Sequence, residues 1–213
     1  SDSEETLKER MVNDDSFVRA YCKNNPHTGK SISTKLWVGD YHSEDEFVKL
    51  AEKSKGIKRI AVLRADVDNL GHAFVSGFPD KYMTLSRTAT LSRQLSLFFK
   101  YHIKSILEKG SYYIDHEEGH PRHAAIVYSG GDDLFIVGAW NDVIELAVDI
   151  KDSLKAYTEN TLTISGGIGL YTSTYPISVI ADEVAEMEDK SKGHEVRIQS
   201  HYLKMVKIIK KVK

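Results

Sequence analysis

An apolar run, Ile60-Ala61-Val62-Leu63, stops in the acidic stretch Arg64-Ala65-Asp66-Val67-Asp68-Asn69. A second acidic pair, Asp132-Asp133, follows Gly130-Gly131 between two more apolar runs. Short apolar runs bounded by turn residues read as strands. The first strand covers 60–63, and the runs beside the glycines give strands over 124–128 and 134–137. Between them Leu91, Leu95, Phe98, Phe99, Ile103, Ile106 and Leu107 fall at helical spacing and predict one long amphipathic helix over 83–109. Val143, Ala147, Ile150 and Leu154 mark a second helix, 162–171 reads as a fourth strand, and 176–190 as a third helix with Pro176 near its first turn. The order β-α-β-β-α-β plus a helix predicts an α+β class, a ferredoxin-like antiparallel sheet with helices on one face.

That topology decides where the carboxylates go. The first and third strands of such a sheet are antiparallel neighbours, so the end of one meets the start of the other. Asp66, Asp132 and Asp133, with Asp68 as a further option, are expected to converge at one sheet edge. Like charges that close cannot all stay ionised without compensation. An all-oxygen set suits Mg²⁺ or Mn²⁺, which leave coordination positions for water and phosphate oxygens. Gly130 and Gly131 carry no Cβ, so the hairpin can take a positive φ and let a phosphate approach its backbone. Carboxylates for a metal beside a backbone cradle suit phosphoryl or nucleotidyl transfer. The bland alternative is a surface turn, for which Gly and Asp are ordinary residues.

The flanks say less. Residues 1–57 read as a leader joined to an upstream domain, with turn chemistry over 24–30, a short strand at Leu36-Trp37-Val38 and a short helix over 43–51 that Ser43 caps with Glu46 at the box position. Residues 58–192 form the main domain, and 193–213 a basic helical tail opening a further domain. The first residue is Ser1, which suggests a piece of a longer polypeptide. Of the 213 residues 41% are apolar, enough for one sizeable core, and the net charge of −2 argues against holding nucleic acid by bulk positive charge. Cys22 is the only cysteine, which excludes an intrachain disulfide and a cysteine zinc cage. No run approaches the length of a membrane span and no secretory signal opens the chain, so a cytoplasmic protein with no membrane partner is expected.

Three stretches in order, Leu63-Arg64-Ala65-Asp66-Val67-Asp68-Asn69-Leu70-Gly71, Leu91-Ser92-Arg93-Gln94-Leu95-Ser96-Leu97-Phe98-Phe99 and Tyr128-Ser129-Gly130-Gly131-Asp132-Asp133-Leu134-Phe135, resemble the second palm domain of the large subunit of type III-A (Csm-type) CRISPR effector complexes. That family is a cyclic-oligoadenylate synthetase whose palm is related to GGDEF diguanylate cyclases and polymerase palms. The resemblance covers about residues 57–192. It implies that Asp66 and Asp133 hold the metal ions, with Asp132 in support and the Val67 carbonyl as a ligand. It implies further that the amides of Asn69, Leu70 and Gly71 lie near the triphosphate, that Ser129, Gly130 and Gly131 line the ribose and α-phosphate, and that Lys192 binds phosphate. The implied reaction is attack of one ATP's 3′-hydroxyl on the α-phosphate of another, releasing pyrophosphate and leading to 3′–5′ cyclic oligoadenylates. The implied partners are ATP, the other palm and remaining domains of the large subunit, and further effector subunits with guide and target RNA.

Two rivals stand beside this. A diguanylate cyclase would use GTP, but Asp133-Leu134 stands where that family has Glu-Phe, and no Arg-x-x-Asp motif precedes the hairpin. A non-catalytic ferredoxin-like scaffold for nucleotide or RNA would place aromatics on its central strands, where the sequence offers only Phe135. Other motifs read as ordinary structure. His116-Glu117-Glu118-Gly119-His120 spells a zincin motif but falls in a loop, and Gly29-Lys30-Ser31 lacks the first glycine of a phosphate loop. His72 reads as packed or solvent-facing, Trp37 and Trp140 as packing residues, and Gly166, Gly167 and Gly169 as bulge or close-approach positions.

Overall fold

The computed structural model describes residues 3–13, 20–23, 33–36, 38–77, 79–113 and 120–192. It divides into two units, Ser1–Val38 and Gly39–Lys213. In the first, helix α1 (Glu4–Asn13) is followed by β1 (Tyr21–Lys23) and β2 (Thr34–Leu36), which pair in parallel. Met11, Ala20 and Cys22 form a small buried cluster there. The strand expected over Leu36-Trp37-Val38 therefore ends at Leu36. Trp37, the turn over 24–30 and Gly29-Lys30-Ser31 lie outside the described residues.

The second unit runs α2 (Phe47–Glu52), β3 (Ile60–Val67), α3 (Leu70–Ser76), a 3₁₀ turn (Asp80–Tyr82), α4 (Leu85–Leu97), a π-helical turn (Phe98–His102), α5 (Ile103–Glu108), β4 (Ala124–Gly130), β5 (Asp133–Ala139), α6 (Trp140–Tyr157), β6 (Ile164–Tyr171) and α7 (Ile177–Lys192). The sheet order is β4-β5-β3-β6 with every neighbour antiparallel, the ferredoxin-like arrangement that the order of elements predicts.

The helices, however, cover both faces rather than one. Side chains alternate along a strand, and β3 is apolar at both parities. Ala61, Leu63, Ala65 and Val67 join Phe98, Phe99, Ile103, Leu146 and Ile150 of the α4–α6 layer. Ile60 and Val62 join Leu50 of α2 and Ile180 and Val184 of α7 on the opposite face. The leader expected over 1–57 is correspondingly shorter. Residues 41–43 run beside β4, where the Ser43 amide donates to the Ala124 carbonyl at 3.0 Å and the Ile126 amide to the Tyr41 carbonyl at 2.8 Å. Ser43 therefore belongs to the sheet edge and caps nothing. Helix α2 starts after Glu46, which makes no side-chain cap.

The expected 83–109 helix is also interrupted. Thr84 caps α4 by accepting from the Arg87 amide, and the π-helical turn then inserts between α4 and α5. The insertion keeps Leu95, Phe98, Phe99, Ile103 and Leu107 all in one buried layer. Helix α6 lays buried polar residues against the start of β4. Arg122, fully buried, meets Glu145 at 2.6 Å and also pairs with Asp149, while His123 Nδ1 lies 3.0 Å from Asp142. No helix among the described residues is long and apolar enough to cross a membrane. The tail over 193–213 lies outside the described residues.

Candidate active site

The hairpin between β4 and β5 is as tight as a hairpin can be. Gly130 pairs with Asp133, leaving only Gly131 and Asp132 in the turn. Gly131 has φ +68° and open space around it, so backbone conformation and not crowding calls for glycine. One step earlier β4 carries a bulge between Ile126 and Tyr128. The extra residue, Val127, shifts the alternation, as bulges near functional sites commonly do. Ile126 packs on the α4–α6 side. Tyr128 pairs with Phe135 on the opposite face, and Ser129 turns back, its hydroxyl donating to the Phe99 carbonyl of the π-helical turn at 2.5 Å. The Ser129 hydroxyl is thus committed to the fold, which leaves its backbone for any ligand.

The acidic residues meet on the α7 face. Asp66, at the end of β3, stands directly opposite Asp133 at the start of β5. The Val67 amide donates to the Asp132 carbonyl at 3.1 Å, stitching the turn to β3, while the Val67 side chain is buried in the core. Partial burial, then the charges of Asp66 and Asp133, raise the Asp132 carboxyl above its ordinary 3.8. The Tyr128 hydroxyl faces Asp133, and that hydrogen bond with the nearby charge raises the phenol.

Lys192, in the last turn of α7, crosses to this cluster. Its Nζ lies 2.6 Å from Asp66 Oδ2 and 2.9 Å from Glu188 Oε1. Glu188 is 4% exposed and also takes Arg64 Nε at 2.9 Å. Burial by itself would lower the Lys192 ammonium, but the bonds and charges of Asp66 and Glu188 outweigh it and the net shift is upward. Gly167 makes the approach of α7 possible. A Cβ there would come within 2.6 Å of Met187 Cβ and 2.9 Å of the Glu188 amide nitrogen. Gly166 and Gly169 are close-approach positions too, as expected of all three glycines of this strand: a Cβ at Gly166 would come within 2.9 Å of Ala65 Cβ and of the Arg64 carbonyl oxygen, and one at Gly169 would run into the Tyr171 ring.

No three His, Cys, Asp or Glu side chains among the described residues form a ready metal cage. The chemistry of the donors still fits magnesium or manganese, which take one or two carboxylates and leave the rest of the shell to water and phosphate. An ammonium seated on Asp66 is a stand-in cation at the same carboxylate.

The remaining predicted residues lie round the end of β3. Asn69 adopts φ 54°, the left-handed conformation, and starts α3 without using its side chain as a cap. Leu70 packs partly on the core, and Gly71 faces open space. Asp68 is drawn away from the trio, its carboxylate accepting from Thr163 Oγ1 at 2.6 Å. It helps line a cleft of about 740 Å³ with Asn69, His72, Leu91, Leu95 and Leu162. Helix α3 and this cleft went unread in the sequence, as did Glu188 and Arg64. The only available signal for Glu188 was its i,i+4 spacing to Lys192. His72 is solvent-facing on the cleft wall. Trp140 packs, its indole donating to the Lys55 carbonyl at 2.8 Å. Residues 116–119 of the zincin-like motif lie outside the described residues.

A family model described as Cas10/Cmr2, second palm domain, matches residues 59–199. A Cas10/Csm1 single-strand-specific deoxyribonuclease (subtype III-A) of Mycobacterium tuberculosis is 46% identical over 82% of this chain and 22% of its own length. Its counterpart in Enterococcus italicus is 41% identical over 88% of this chain and 24% of its own. Among solved structures, a Csm1–Csm4 cassette in complex with pppApApA has a TM-score of 0.73 at 33% identity, covering 81% of this chain and 26% of that one. Csm1 of T. onnurineus has a TM-score of 0.70 at 34% identity, covering 83% and 27%. A Csm1–Csm4 cassette with one ATP matches at a TM-score of 0.70 and 34% identity, covering 81% and 26%. The chain therefore spans less than a third of the length of any of these relatives.

Proposed function

This chain belongs to the Cas10/Cmr2 second palm domain family, and from that premise we propose that it is the nucleotidyltransferase palm of a type III-A CRISPR effector, joining ATP molecules into 3′–5′ cyclic oligoadenylates. The observation that carries the proposal is the cross-strand pair Asp66 and Asp133 with Lys192 seated on it. Asp66 and Asp133, supported by Asp132 and by the Val67 carbonyl, would hold magnesium or manganese. An ion bound there supplies a lowered pKa for the attacking 3′-hydroxyl and neutralises charge on the transferring phosphoryl group.

The chain's own groups do the positioning. Gly130 and Gly131, without Cβ, let the α-phosphate and ribose approach the hairpin backbone, to which Ser129 contributes its main chain. The amides of Asn69, Leu70 and Gly71 start α3, where the first turn leaves its N–H groups without helical partners and free to meet phosphate oxygens. Lys192 supplies a positive charge for the triphosphate. The cleft beside Asn69 has an apolar floor (Leu91, Leu95, Leu162) and polar walls, which suits the base. When the 3′-oxygen of one ATP bonds to the α-phosphorus of the other, the bond to the β-phosphate oxygen breaks and pyrophosphate leaves.

Turnover requires the other palm, since two ATP molecules must face each other. The expected surroundings are therefore the rest of the large subunit, a Csm4-type subunit, and further subunits with guide and target RNA. The deoxyribonuclease activity in the relatives' names is a property of much longer proteins, and it is assigned to no residue of this chain. The test is calorimetry of ATP with Mn²⁺ on the chain and on Asp132→Ala/Asp133→Ala. Metal-dependent binding that the double variant loses supports the site. Binding that is absent, or unchanged in the variant, removes it in favour of a non-catalytic scaffold. GTP binding in preference to ATP would favour the diguanylate-cyclase-like rival.

A further inference from the structure

Glu188 has no part in the transfer as described, yet it is the most buried acid near the site. It is held by two cations, Arg64 from β3 and Lys192 from its own helix, each at 2.9 Å. Its Lys192 partner is shared with Asp66 at 2.6 Å. An exposed i,i+4 pair on a helix would be an ordinary surface feature of little weight. This one differs in two ways. The carboxylate is buried, so either cation left without it would be expensive to keep in place. And Lys192 Nζ reaches off its helix onto a carboxylate at the end of a distant strand. The local charge is also informative. Asp66, Asp132, Asp133 and Glu188 bring four negative charges and Arg64 and Lys192 two positive ones, so the cluster lacks the charge of one divalent ion.

We propose that Lys192 is an internal cation stationed at Asp66, which a divalent ion must displace on entry, and that Glu188 is the positioning residue that retains Lys192 when it is displaced. The proposal rests on the reading of Asp66 as a metal ligand. Glu188 keeps hold of the ammonium, so the lysine stays at the site edge while its bond to Asp66 is given up. Loading the ion and freeing Lys192 for an incoming triphosphate then become one event. Arg64 fixes Glu188 from the strand side, so the carboxylate does not follow the lysine.

Opposite signs distinguish this from a merely structural salt bridge. Manganese affinity is read by electron paramagnetic resonance without nucleotide, on the chain and on Lys192→Met, Glu188→Gln, the double variant and Asp66→Asn, each checked for folding by its melting curve. Lys192→Met removes the competing cation and should tighten Mn²⁺ binding several-fold. Glu188→Gln leaves Arg64 and Lys192 to lean on Asp66 and should weaken it by about tenfold or more, the usual scale for an outer partner of a metal ligand. Most of the Glu188→Gln loss should vanish in the Lys192→Met background, because the two residues act through one contact.

Mn²⁺ affinity that is unchanged or weakened in folded Lys192→Met overturns the proposal. Lys192 is 37% exposed, so that variant should fold and decide the matter even if Glu188→Gln does not. Asp66→Asn separates the two levels. If the chain binds Mn²⁺ and Asp66→Asn leaves the affinity unchanged, the ion is not at Asp66 and the metal-site reading falls together with this one. If Asp66→Asn abolishes binding while Lys192→Met does not tighten it, only the displacement proposal fails.

Discussion

Asp66 and Asp133 stand directly opposite each other on β3 and β5, on the sheet face that α7 covers. Like charges directly opposite in a sheet destabilise it by roughly 0.2–1 kcal/mol. Asp133→Asn should therefore leave the metal-free protein as stable or slightly more stable. The same substitution should remove the upward shift in melting temperature that Mn²⁺ gives the parent chain, since stabilisation by a ligand follows its affinity for the folded state. Thermal melts with and without Mn²⁺ read both effects. A full Mn²⁺ shift in Asp133→Asn would exclude that carboxylate from the site.

Asp132 supplies a pH dependence with a definite sign. Its folded pKa lies above the ordinary 3.8, through partial burial and then the charges of Asp66 and Asp133. A carboxyl with a raised folded pKa contributes stability that is fully present below about 3.8 and lost as pH rises through the folded value. At neutral pH, ionised Asp132 is thus a small liability of the metal-free chain. Asp132→Asn should raise the urea midpoint at pH 7 by an amount worth less than about 1 kcal/mol, because the site is open to solvent. The gain should disappear near pH 3.5. A gain that is equal at both pH values would mean that repulsion among the three acids is not its cause.

The sheet and the acidic cluster were legible because they depend on local signals. Apolar runs ending in Asp66 and flanking Asp132 and Asp133 fix the strands, and antiparallel order then brings those residues together. What went unread depends on packing across elements. The second helical face needed both parities of β3 to be counted, Ile60 and Val62 as well as Ala61 and Leu63. The break in the long helix turns on a single inserted residue at the π-helical turn, which the spacing of Phe98, Phe99, Ile103 and Leu107 accommodates as readily as a straight helix. Tyr128 faces Asp133 only because of the bulge at Val127, and Glu188 matters only because Gly167 admits α7 closely.

Arg122 tests the other end of the same strands. It is fully buried, pairs with Glu145 at 2.6 Å and with Asp149, and donates to the Tyr112 carbonyl at 2.7 Å. Removing one partner of a buried ion pair strands the other charge, at a cost of about 3–5 kcal/mol. Arg122→Met should lower stability on that scale in urea denaturation, and adding Glu145→Gln and Asp149→Asn should recover part of it. A loss below about 1 kcal/mol would mean that the two acids are relieved in some other way, as by water entry.

Gly167 and Gly71 make a paired prediction about glycine. A Cβ at Gly167 would lie 2.6 Å from Met187 Cβ, 2.9 Å from the Glu188 amide nitrogen and 3.0 Å from the Val184 carbonyl oxygen. Two of those three atoms are backbone, so no side-chain rotation relieves the clash and α7 itself must shift. Gly167→Ala should cost about 1–3 kcal/mol, the usual range for overpacking. Gly71 has nothing within 4 Å of its would-be Cβ and sits in α3 without a positive φ. Gly71→Ala should therefore gain about 0.4–1 kcal/mol by restricting the unfolded chain. The contrast reaches the site as well. Because Glu188 and Lys192 ride on α7, a shifted helix pulls Lys192 from Asp66, so Gly167→Ala should change Mn²⁺ affinity along with stability. A Gly167→Ala chain with unaltered melting temperature and unaltered Mn²⁺ affinity would show that α7 does not dock on β6 as closely as 2.6 Å implies.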